Sequence, residues 1–89
     1  MKTIYKYKVN LLDDTTIRGR ISKVLTVQYQ QNTEQIVVWA EIDPYEEEAD
    51  WLISSYGTGH AIPEDVGDYI GTIQFYTGEL VAHYFAMKL

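Results

Sequence analysis

Apolar and polar residues alternate along most of this chain, and no window sustains the 3.6-residue repeat of an amphipathic helix. Thr3, Tyr5, Tyr7, Val9 and Leu11 fall on one side of a first strand, with Lys6, Lys8 and Asn10 on the other. Asp13-Asp14 reads as a turn. Thr16 to Ile21 is a short irregular strand or loop, because Gly19 interrupts it. Alternation resumes from Lys23 to Gln31, turns at Asn32-Thr33, and continues through Gln35 to Ile42, a run rich in β-branched residues. That run reads as a central strand covered on both faces, with Trp39 buried. Asp43-Pro44 ends it, since proline removes a donor and restricts the residue before it.

Tyr45 to Asp50 is a charged loop or a single helical turn, and Trp51 to Tyr56 is a fourth strand. Gly57 to Asp68 has neither period. Tyr69 to Tyr76 and Leu80 to Met87 form a hairpin across Thr77-Gly78-Glu79. The fold class is therefore all-β: one domain over residues 1–89, a single antiparallel meander of about six strands curled into a barrel or sandwich, with at most one short helical turn. Cysteine is absent, which removes disulfides and thiolate chemistry and favours an intracellular site. Neither a signal-like opening nor an apolar run of membrane-spanning length is present, so no membrane association is expected.

Charge is strongly segregated. Lys2, Lys6, Lys8, Arg18, Arg20 and Lys23 face only Asp13 and Asp14 in the first 23 residues, a net of +4. The rest sets Lys88 against eleven acids, a net of −10. Asp43, Glu46, Glu47, Glu48 and Asp50 form one acidic cluster, and Glu64, Asp65 and Asp68 a second. Such a distribution repels nucleic acid and suits a basic protein surface, with Tyr45, Trp51 and Tyr56 as apolar anchors beside the acids. The alternative is that these acids only solubilise the domain.

Catalytic and metal-binding signals are thin. Gly57-Thr58-Gly59-His60 resembles the start of an anion-binding nest, but a third glycine, a following helix and a nearby Lys or Arg are all missing. It is either a turn capped by a histidine or a small-ligand site. His60 with Glu64, Asp65 and Asp68 is a candidate zinc or manganese set, disfavoured because Pro63 breaks the helix that would align His60 with Glu64. His83 sits mid-strand, as a satisfied core histidine does. No serine lies in a nucleophile elbow. The expectation is a non-enzyme with no cofactor and no metal.

The segments Val27-Gln28-Tyr29-Gln30, Ile42-Asp43-Pro44, Tyr56-Gly57-Thr58-Gly59-His60-Ala61-Ile62-Pro63, Tyr69-Ile70-Gly71-Thr72 and Leu80-Val81-Ala82-His83-Tyr84-Phe85 carry a resemblance. Over nearly its full length the chain resembles a family of short hypothetical proteins from phages and bacteria. The resemblance implies a phage or prophage origin and a compact β domain, with no assigned activity. Two segments depart from it: Thr15–Arg20, where a proline-containing turn is expected, and the Glu46-Glu47-Glu48 run.

Together these features lead to the expectation of a small acidic phage-encoded accessory protein. It would act in the cytoplasm of the bacterial host, binding and inhibiting a host protein such as a nucleic-acid-handling defence component, in the manner of an anti-CRISPR. The alternatives are a nucleotide- or small-ligand-binding homo-oligomer built on Gly57–His60, and a virion or structural protein.

Overall fold

Seven strands account for most of the chain in the computed structural model, which describes residues 1–75 and 78–89. They are β1 (Thr3–Lys8), β2 (Thr15–Gly19), β3 (Ile21–Gln30), β4 (Gln35–Ile42), β5 (Ala49–Gly57), β6 (Asp68–Phe75) and β7 (Leu80–Lys88). Among the described residues there is no α-helix, and residues 44–46 form a turn and bend in a loop that runs to residue 48. The Thr77-Gly78-Glu79 hairpin expected between β6 and β7 lies partly outside the described residues.

The strands do not form one meander. They divide into two antiparallel sheets, ordered β1-β4-β3 and β2-β5-β7-β6, which pack as an open sandwich rather than a closed barrel. The segment with Gly19 supplies the seventh strand. The chain leaves the larger sheet at Gly19, passes Arg20 and enters the smaller sheet at Ile21. A Cβ at Gly19 would meet the Tyr7 hydroxyl, so a larger residue at this corner would have to displace that side chain. Connecting β5 to β6 requires a crossover, because these strands run parallel with β7 between them. Residues 58–67 make it, and Gly67 (φ 83°) brings this segment so close to Ala86 and Met87 that no Cβ fits.

Two stripes meet in the core. Ile21, Val24, Val27, Ile36, Val38 and Ala40 come from the smaller sheet, and Ile17, Trp51, Ile53, Ile70, Ile73, Ala82, Tyr84 and Ala86 from the larger. In β4, β5 and β7 the core residues follow the period of two that puts alternate residues on one face. In β3 Ile21, Val24 and Val27 are three apart, because irregularities at Ile21/Lys23 and Val24/Thr26 shift the register. The sheets approach along β3 and β6, where Thr26 Oγ1 donates to Ile70 O at 3.0 Å. Both strands carry irregularities at this seam, and Gly71 packs against Val27.

The tryptophans exchange the roles expected of them. Trp51 is in the core, 9% exposed, so it is no surface anchor. Its Nε1 is buried with no hydrogen-bond partner among the described residues. Trp39 lies half-buried on the outer face of β4, where its Nε1 donates to Gln28 Oε1 at 2.9 Å. The central-strand reading of β4 holds within its sheet, yet the outer face is covered only by side chains. Lys6 reaching Gln30 Oε1 at 3.1 Å is one of them, and Val37 beneath is fully buried. Urea denaturation should therefore show Trp51→Ala losing about 3–5 kcal/mol, as for a core aromatic. Trp39→Ala should lose about 1–2 kcal/mol, in keeping with partial burial. The reverse order would contradict the assignment of faces.

Candidate functional site

The acidic loop of residues 43–50 and Asp68 flank the same end of the larger sheet, and Glu64 and Asp65 lie on the crossover that leads to Asp68. β5 and β6 begin where β7 finishes, with Trp51 opposite Lys88 and Asp68 opposite Ala86. The starts of these two strands are separated by the width of β7, about 10 Å from the usual strand spacing. Asp43 shapes the turn that leads there: its Oδ1 accepts the Tyr45 N–H at 2.9 Å and its carbonyl the Glu46 N–H at 3.0 Å. Asp50 holds the chain's end, its carbonyl accepting the Leu89 N–H at 2.9 Å.

This end is not free of cations, as the linear sequence implies. Pairing of β2 with β5 sets Arg18 opposite Asp50, and its guanidinium bonds Asp50 Oδ1 at 3.0 Å and Glu48 Oε1 at 3.2 Å. Arg20 Nη1 donates to the Glu46 carbonyl at 2.8 Å and so leaves that carboxylate unspent. Lys2 pairs with Glu41 at 3.2 Å, and Ser22 Oγ donates to the same carboxylate at 2.8 Å. Glu47, Glu64, Asp65 and Asp68 are exposed and make no ion pair among the described residues. Tyr45, 91% exposed, stands beside the acidic loop. Tyr56 does not, since five residues along β5 put it about 17 Å from Trp51. The three aromatic anchors are therefore not one group.

At the opposite end of β5 the Gly57–His60 segment is a tight turn. The His60 N–H returns to Gly57 O at 3.2 Å, and Gly59 takes a positive φ of 84° at the position where a type II turn needs it. The His60 ring lies against Gly57, where a Cβ would stand 2.9 Å from its Cε1. The His60 N–H is thus spent within the turn rather than turned toward an anion. His83 lies on the outer sheet face, not in the core. Thr58 Oγ1 is 2.7 Å from its Nε2 and Thr72 Oγ1 is 2.9 Å from its Nδ1, and Thr72 in turn meets the Tyr69 hydroxyl. Phe85 stacks edge-on with both Tyr56 and Tyr69, at 6.1 and 5.7 Å. A cleft of about 220 Å³ opens between Tyr56, Phe85, His83, Ile62 and the turn. His83, Thr72 and Tyr69 are the members that sequence reasoning missed. The β6–β7 register sets Thr72 opposite His83, whereas a turn centred on Gly78, as expected from the sequence, would have set it opposite Tyr84.

An all-β, two-sheet antiparallel sandwich with an acid-rich end and a small aromatic cleft on its larger sheet defines the class of protein. A family model described as a domain of unknown function, DUF7352, matches residues 1–89, and the chain belongs to that family. No curated protein and no solved structure matches the chain. Among the described residues no three His, Asp or Glu side chains gather as a metal site would require. Among them, too, no helix is long and apolar enough to cross a membrane.

The Ser22 hydroxyl, with Lys2 second, holds the Glu41 carboxyl below its ordinary range. A group with a lowered folded-state value adds stability above its unfolded value and loses it as pH falls through the folded one. An NMR titration should give Glu41 a midpoint below that of an ordinary glutamate, and Ser22→Ala should raise it more than Lys2→Met does. An unchanged midpoint in Ser22→Ala would show that the hydroxyl bond does not form in solution.

Proposed function

We propose that this domain binds a protein partner with a basic surface, through the acidic end of its larger sheet. The observation that carries the reading is the arrangement of residues 46–50 and 68 where β5 and β6 begin on either side of β7, with Arg18 neutralising only part of the charge. Exposed carboxylates on a rigid sheet end steer a cationic partner and repel phosphates. Glu46, Glu47, Glu48, Glu64, Asp65 and Asp68 steer, Tyr45 supplies the apolar contact, and Asp43 and Asp50 shape the loop. In its fuller form the reading is of a phage-encoded accessory protein that inhibits a host nucleic-acid-handling defence component by occupying its basic groove.

A second reading rests on the outer cleft. Tyr56, Phe85 and His83 form a floor of planar rings, which suits a small planar ligand better than a phosphate.

The test begins with capture of host proteins on the tagged chain and continues with association kinetics on whatever protein is captured. The combined variant Glu46→Lys, Glu47→Lys and Glu48→Lys should fold normally, because solvated loop charges contribute little to stability. Its association should slow by about tenfold or more, and the wild-type rate should fall as salt rises. An association rate indifferent to both salt and the triple reversal would reject electrostatic targeting.

A further inference from the structure

We infer that the free edge of β1 is a docking site for an extended, acid-bearing segment of a partner protein, added as a fourth strand to the smaller sheet. Val9 N–H donates to Ile36 O at 3.0 Å, and the β1–β4 register brings Lys8 opposite Val37 without a shift. Val9 and Ile36 are thus a hydrogen-bonded pair, and Thr3, Tyr5 and Tyr7, spaced by two, also direct their backbone groups toward β4. Ile4 and Lys6 direct their N–H and C=O groups the other way. Among the described residues no strand lies on that side, since β1 ends its sheet. Unpaired edge groups are a template for an added strand.

The remaining edges are poorer templates. β3 and β6 lean together at the seam where Thr26 reaches Ile70, and both are interrupted by irregularities. β2 has five residues against the six of β1. β1 is regular along its length and its side chains are uncovered, with Ile4 62% and Tyr5 57% exposed on opposite faces.

Charge selects the occupant. Lys6 and Lys8 share the outer face of β1, with Lys2 just before it. A second copy of this chain, paired antiparallel about a two-fold axis, must match outward residues with outward residues. Every register that engages both Ile4 and Lys6 then sets Lys2 against Lys6, Lys2 against Lys8, Lys6 against Lys6, or Lys6 against Lys8. Like charges directly opposite destabilise a strand pair. A foreign strand with acids at alternate positions sets them against Lys6 and Lys8 instead, and its other face meets Tyr5 and Tyr7. Lys2, just before β1, lies close enough to Asp43 and Glu46 to interact with them, whereas Lys6 and Lys8 lie further along the edge. The edge and the acidic end are opposite in charge and are tested by different variants, so either can fail while the other stands.

The test uses two capped eight-residue peptides, one alternating glutamate with valine and the other lysine with valine, added to the whole chain. Amide hydrogen exchange at Ile4 and Lys6 is the readout. The glutamate peptide should slow exchange at both amides by about tenfold at saturation, as newly formed ladder bonds do, while the lysine peptide leaves them unchanged. Ile4→Pro should keep the fold, because an outward edge N–H has no partner to lose, and should abolish the protection by the peptide at Lys6. The double variant Lys6→Glu and Lys8→Glu, which leaves the backbone unaltered, should exchange the two peptides' effects. Equal protection by both peptides, protection by neither at millimolar concentration, or protection that survives Ile4→Pro would overturn the inference. So would a wild-type dimer in sedimentation that Ile4→Pro dissociates, since the occupant would then be a second copy.

Discussion

Tyr84 is the side chain on which the rest of the sandwich depends. It projects from β7, the strand between β5 and β6, into the core, where it is fully buried. Its hydroxyl leaves the larger sheet and donates to Asn10 O at 2.7 Å, on the connection out of β1. Burial raises its pKa above the ordinary tyrosine range. In a chain without cysteine, this bond spans 74 positions and links the larger sheet to the chain leaving the smaller one. With β7 so anchored, its two neighbours begin at the same end. The acidic strand starts at Ala49–Asp50 and Asp68 inherit their spacing from it.

Much of this order was legible in the residues. The alternation through Leu25, Val27 and Tyr29 and through Ile36, Val38 and Ala40 is a period-two signal that no helix mimics, so the strands and the all-β class could be read. The irregularities in β3 that put Val24 and Val27 together in the core could not. The division into sheets could not, because alternation says which side of a strand is apolar and not which neighbour it pairs with. Gly19 and Arg20 are the example: an apparent interruption is the corner where the chain changes sheet. The tryptophans depart from expectation for a related reason. Trp39 and Val37 share a face with Gln35 and Glu41, whereas Ile36, Val38, Ala40 and Ile42 offer a more continuous stripe, and that stripe took the core. Trp51 alternates with Ile53 and Ser55 on one side and Leu52 and Tyr56 on the other, so neither side is marked.

Charge was legible as a list and misleading as a map. Along the sequence Lys88 is the only cation after Lys23, and the acids fill the stretch between; in space β2 returns Arg18 to Asp50 and Glu48, and Lys2 reaches Glu41. What survives folding is a division by surface. Lys6 and Lys8 lie on β1 at the edge of the smaller sheet, and the uncompensated acids crowd one end of the larger. The proposed polypeptide contacts fall on these two surfaces, one of each sign.

The central claim is this division of charge over the surface, and paramagnetic broadening by charged cosolutes tests it without a known partner. Amide signals of the free, isotope-labelled protein would be recorded with a cationic nitroxide and then with an anionic one, at low salt where screening is weak. The account predicts stronger broadening by the cationic probe at residues 46–50 and 64–68, and by the anionic probe along Ile4, Lys6 and Lys8. Equal broadening by both probes at both surfaces would contradict it.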